Sequence, residues 1–365
     1  MNQRERILAL LSGGVPDHVP WFGDLAYYAF ALEQRGKVPV GWQRTEDYYH
    51  YHRKMGVGFY LQGYRAFDAL YEGDIEVTSE HDGRVHQRTV STPLGTLKEE
   101  TIYLPEAYCY APSRHMINTP EDLAVLRYWG EHTTYRPAPE EALHRRPWLE
   151  DLGIVLCYLP RTPFMELVVN LAGISNVVAL WSDARDDLEE TLAVMERSST
   201  EAAEAALQVP ADAFMIPENL SSEVVGRYYA KYVVPVEREW VGKIQEAGKY
   251  AFIHMDGTLR GLMRQVAETG FDVIEAMTPA PTGDVAIEEA RRVAGPSPIL
   301  WGGIPGAYFT ELVSDHEFDR HVREVLEVMV SDRRMVLGVA DQVPPDGLPR
   351  RIARVAELVG QHGAF

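Results

Sequence analysis

The stretch Tyr250-Ala251-Phe252-Ile253-His254-Met255-Asp256-Gly257 is an apolar run that ends in a histidine, an acid and a glycine. Such a run reads as a buried strand, and residues two apart on a strand face the same side, so His254 and Asp256 point together. Other apolar runs end in the same way. One leads into Pro217-Glu218-Asn219, one carries Glu275 before Thr278-Pro279, and one runs through Gly338 to Asp341-Gln342. A further run ends in Tyr158, Pro160 and Arg161, whereas Trp301-Gly302-Gly303 offers only backbone. A histidine with two or three carboxylates and no cysteine is a ligand set for Zn²⁺, Mn²⁺ or Fe²⁺. Such an ion polarises a substrate oxygen or activates a nucleophile. The same residues also suit a metal-free site, in which His254 bonds a neighbouring acid and the carboxylates bind substrate or cap helices. Glu218 and Glu275 are also compatible with the paired acids of a glycosidase. Tyr158, Arg161, Asn219 and Gly303 complete the set as substrate contacts, Arg161 through a guanidinium fork suited to an acid. At the glycines a tight turn explains the residues equally well.

The elements that must position these groups alternate in kind. Strand-like runs are expected at 18–24, 56–61, 154–159, 213–216, 250–254, 273–276, 299–301 and 335–337, the first ending in Asp24. Helical patterns are expected at 2–11, 183–207, 222–246, 258–269, 285–294, 316–331 and 348–360. Strands alternating with helices imply parallel βαβ units. The series predicts one TIM-like (β/α)8 barrel over residues 1–365, with an N-terminal helical segment. An antiparallel excursion is expected at 75–104, where Asp82-Gly83 separates two alternating runs. Residues 105–150 read as irregular, apart from a short helix opened by Thr119-Pro120-Glu121-Asp122. The aromatic cluster Tyr48, Tyr49, Tyr51 with His50 and His52 reads as packing or pocket wall.

The chain has 365 residues, of which 46% are hydrophobic and 24% charged, as in an ordinary globular protein. Its formal charge of -19 argues against nucleic acid and anionic membranes as partners. No apolar run has the length of a membrane span or the form of a signal peptide. The two cysteines, Cys109 and Cys157, exclude a cysteine-only zinc site and fit a reducing compartment, so a cytoplasmic location is expected.

Several motifs carry a family resemblance over nearly the full length. They are Arg4-Glu5-Arg6-Ile7-Leu8-Ala9-Leu10 with Pro16-Asp17-His18-Val19-Pro20, then Thr92-Pro93-Leu94-Gly95-Thr96 and Thr119-Pro120-Glu121-Asp122-Leu123. His254-Met255-Asp256-Gly257 and Gly338-Val339-Ala340-Asp341-Gln342-Val343-Pro344-Pro345-Asp346 follow. In these the chain resembles the uroporphyrinogen decarboxylase superfamily. The resemblance implies a TIM-like barrel with its site at the C-terminal face. It also implies either decarboxylation or zinc-dependent methyl transfer from a corrinoid protein. In those methyltransferases a His-x-Cys motif and a later cysteine hold zinc. Here His254 matches the histidine, Asp256 replaces the first cysteine and Asp341 falls near the second. Carboxylates make a metal harder and favour oxygen substrates over thiols. The arginine motif that grips a porphyrinogen is absent, since the first strand continues Phe22-Gly23-Asp24-Leu25. The resemblance with its departures implies a metal-dependent, demethylase-type methyltransferase acting on a small oxygen-rich substrate, with a corrinoid protein as partner. His254, Asp256 and Asp341 would be metal ligands, zinc first among the candidates, and Glu218 and Glu275 catalytic. A decarboxylase or lyase acting on a small acid and a non-catalytic binding barrel are the alternatives, and a homodimer is compatible with the excursion.

Overall fold

The computed structural model describes residues 1–59 and 64–365. Its strands are β1 (Trp21–Gly23), β2 (Gly58–Phe59), β3 (Phe67–Tyr71), β4 (Glu76–His81), β5 (Val85–Thr92), β6 (Gly95–Leu104) and β7 (Cys109–Arg114). They continue as β8 (Thr133–Pro137), β9 (Leu156–Tyr158), β10 (Ala213–Leu220), β11 (Tyr250–Met255), β12 (Val273–Met277), β13 (Ile299–Pro305) and β14 (Met335–Ala340). Eight of them form one curled sheet in the order β2-β1-β14-β13-β12-β11-β10-β9, and every neighbouring pair in it is parallel. The outer strands also meet. The Phe59 amide donates to Leu152 O, and Tyr64 forms a parallel bridge with Cys157. The second strand expected at 56–61 is seen at its start, and residues 60 and 61 lie outside the described residues.

Alternation along these strands makes two apolar layers. Phe22, Leu156, Met215, Phe252, Val273, Trp301 and Val336 fill the inside of the curl. Their sequence neighbours Cys157, Phe214, Ile216, Ile253, Ile274, Leu300 and Leu337 belong to the larger layer that includes the helices. The helix Gln3–Leu11 inserts Ile7 and Leu10 into the inner cluster, and Arg4 donates to Gly153 O and reaches Asp212, both just before strands. That helix therefore closes the N-terminal end of the sheet and leaves the C-terminal end open. Asn2 caps it reciprocally with Glu5.

The excursion is larger than the sequence suggests. β4 to β7 form a four-stranded antiparallel sheet, in which Asp82 turns the first hairpin by accepting from the Arg84 and Val85 amides. Residues 105–150, read as irregular, also contain the helices Pro120–Glu131 and Glu140–Leu149 and the strand β8, which pairs antiparallel with β3. The first of these helices begins as expected, with Asp122 accepting from the Thr119 amide. The stretch 222–246 is three pieces. Ser222–Tyr228 leads through a wider turn at Tyr229–Val233 into Val234–Glu246, which starts afresh with a proline in its first turn.

A candidate active site at the strand ends

At the open end of the sheet, β11 and β12 lie in register with His254 opposite Glu275. Phe252 fixes the inward face of β11, so His254 two residues later faces the same enclosed space. His254 Nδ1 lies 2.6 Å from Glu275 Oε2, and the Glu275 side chain is fully buried. Burial alone would drive the imidazole to its neutral form. The Glu275 carboxylate outweighs it, helped by Asp256 and Asp341, and the pKa rises to about 9. His254 therefore carries its proton at neutral pH and donates Nδ1–H to Glu275. The other Glu275 oxygen has no hydrogen-bond partner and is buried.

Three more groups share this space. Asp341 stands at the rim, where the loss of surrounding water pushes its pKa up against the pull of His254. Tyr158, at the end of β9, feels the charges of Asp24, Glu275 and Asp341, and burial pushes its phenol well above the usual range. Asp24, buried just after β1, accepts from the Ala26 amide. Sequence reasoning marked Asp24 only as an acid ending the first strand; the signal that places it here is the strand end it shares with the other acids. Three of the left-handed non-glycine residues also lie at this end. Asn219, Ala276 and Asp341 have φ of 54°, 63° and 71°. Left-handed non-glycine residues are uncommon, and those held in place by their surroundings gather at functional sites.

Glu218 is placed elsewhere. Its carboxyl is fully buried, and Oε1 accepts from the Thr162 amide at 2.8 Å. It interacts with Glu237 of the helix Val234–Glu246, whose own carboxyl accepts from Tyr229 OH at 2.5 Å. Burial pushes Glu218 up to about 8, against the Thr162 hydrogen bonds and the Arg161 charge, which favours its neutral form. Glu218 and Glu275 thus belong to different layers, and the paired-acid arrangement of a glycosidase is not formed. Asn219 is exposed. Gly303 is a packing position. A Cβ there would lie 2.9 Å from Val325 Cγ1, and at Gly302 one would lie 2.2 Å from Met277 O. The aromatic cluster at 48–52 is also packing, with the Tyr49 ring stacked on Phe59 at 4.3 Å and Tyr48 edge-on to His52.

The metal expectation meets a specific obstacle. Among the described residues no three His, Cys, Asp or Glu side chains converge as a metal ion requires. Glu275 engages only Nδ1 of His254, and a ring held in this way keeps Nε2 for another partner. His254, Asp256 and Asp341 are not gathered around one point in this structure. What the arrangement offers is a buffered proton donor, set in an acidic opening that repels polyanions.

Residues 159–362 match the family described as uroporphyrinogen decarboxylase (URO-D). A solved structure, a methyltransferase from Methanosarcina mazei, is similar with a TM-score of 0.61 and 13% sequence identity, over 99% of this chain and 99% of that one. At that identity the likeness concerns the fold. No curated protein matches the sequence.

Proposed function

The chain belongs to the uroporphyrinogen decarboxylase family, and from that premise we propose that it is a methyltransferase of demethylase type. It would move a methyl group from a small oxygen-bearing substrate to a corrinoid carried by a partner protein. We read the curled sheet, with its outer strands in contact, as the closed (β/α)8 barrel expected of the sequence. The observation that carries the proposal is the His254 ring held 2.6 Å from the buried Glu275 carboxylate at the strand ends. The carrier supplies the nucleophile that accepts the methyl carbon. As the carbon–oxygen bond breaks, its electron pair stays on oxygen, and His254 gives that oxygen a proton. Glu275 keeps the ring oriented and charged, which lowers the cost of the proton's position before transfer. Asp24, Asp256 and Asp341 make the opening acidic, so the reacting end of the substrate is neutral and polyanionic tetrapyrroles are excluded.

The test is a change in the corrinoid spectrum when protein, reduced corrinoid protein and methyl ethers or methanol are mixed. The wild type should methylate the corrinoid and His254→Gln should lose the reaction. Carbon dioxide release from a small acid without any corrinoid would instead favour decarboxylation, the reading to which the family description points. Zinc bound by His254, Asp256 and Asp341 enters as a third outcome. One equivalent of tightly held metal in purified protein, lost in His254→Ala, would make the ring a ligand and not an acid.

A further inference from the structure

Beside the strand ends lies a cavity of about 450 Å³ that the chemistry above leaves unused. That volume is in the range, about 300 to 1,000 Å³, of sites for small organic ligands. One wall is the end of β9 and the loop after it, with Tyr158 and Arg161. The aromatic part of the lining comes from the pieces of chain before the family-matched region, chiefly Phe67, Trp129 and Tyr135. Most of the remaining lining is aliphatic, including Leu126, Leu171 and Met195 of the helices.

Two guanidinium groups interrupt this apolar surface, and they are not equivalent. Arg88 lies 3.7 Å from Glu99 and over the Trp129 ring at 5.1 Å, so its charge already has company. Arg161 forms no ion pair among the described residues, and its Nε is buried with no hydrogen-bond partner. The two acids that feel its charge, Glu166 and Glu218, form no ion pair with it. Glu166 holds Asn170 at 2.7 Å, and Glu218 is occupied by the Thr162 amide. Burial pushes both acids toward their neutral forms. Arg161 is thus a partly buried guanidinium with an unpartnered Nε at the cavity, and a guanidinium fork is shaped for a carboxylate. The hydrogen bond from the Thr162 amide to Glu218 ties down the backbone next to Arg161.

We propose that this cavity binds an aromatic or bulky apolar monocarboxylate, with its carboxylate on Arg161 and its body against Phe67, Trp129 and Tyr135. The inference rests on the strand ends being the reactive site, because Tyr158 belongs to both spaces. It divides the substrate by charge: the anionic end goes to the side cavity and the neutral reacting end to the acidic opening.

Calorimetric titration of the full chain with 2-naphthoate, 2-naphthamide and acetate tests it. Expected is one saturable site for 2-naphthoate, at least tenfold weaker binding of the amide, and no measurable binding of acetate. Arg161→Gln should bring the acid down to the level of the amide, whose retained binding also reports an intact fold, while Arg161→Lys should keep part of the preference. Equal binding of acid and amide by the wild type, or an unchanged ratio in both Arg161 variants, would overturn the assignment. Binding is read without turnover. A naphthoate site in a protein that transfers no methyl group removes only the methyl-transfer reading, and transfer without any preference for the acid removes only this one.

Discussion

His254 and Glu275 are brought together by the register of two adjacent strands, so their contact is set by the sheet and not by long flexible side chains. Removing the proton donor with His254→Gln should lower turnover by about 10²- to 10⁴-fold, the range typical of a positioned general acid, with the melting profile little changed. Glu275→Gln keeps the shape but removes the charge. The histidine should then titrate well below its value of about 9, as read from its ring proton signals in NMR, and the alkaline limb of the rate profile should move down with it. Glu218 gives a prediction of a different sort. Its pKa is raised to about 8 from an ordinary 4.5 in the unfolded chain, so between those values the folded chain binds more protons. Stability therefore falls as pH rises through that window and levels off above it. Glu218→Gln should flatten this part of the stability-against-pH curve in calorimetry, and an unchanged slope would show that the carboxyl is not buried as a neutral acid.

At the scale of elements, β12 carries a strained position next to Glu275, because Ala276, at the register shift against β13, is fully buried with φ of 63°. Ala276→Val should destabilise the protein by about 1 to 3 kcal/mol, since a β-branched residue is poorly tolerated there, whereas Ala276→Gly should be close to neutral. Denaturant unfolding of both variants checks this. The strands from β9 to β14 were legible because each is a short apolar run between helical patterns, as parallel strands covered on both faces must be. β3 and β8 were not, since they are half-exposed segments that find each other across more than sixty residues. Helix Glu140–Leu149 was hidden by Pro147 within it. In the candidate site, the runs ending in His254, Glu275 and Asp341 do bring these residues to one end of the sheet. That Glu218 leaves the group follows from its contacts with Thr162 and Glu237, which no local pattern announces.

For the molecule as a whole, the last helix, Pro349–His362, is tied back by one buried side chain. Arg351 donates to the carbonyls of Tyr308, Thr310 and Val313 and pairs with Asp315. Arg351→Met should cost on the order of 3 kcal/mol, because three carbonyls lose a charged donor at once, and the loss should appear as a lower melting temperature. No described helix is long and apolar enough to cross a membrane. The wall of the side cavity has a consequence for how such a protein diversifies. Phe67, Trp129 and Tyr135 come from chain that precedes residue 159, while the proton-donating pair lies within 159–362. In the proposed site the wall for the ligand's apolar body is thus written in an earlier stretch of the gene than Arg161, His254 and Glu275, and exchanging that stretch between relatives is a route to new body specificities that leaves the carboxylate contact and the reacting pair untouched.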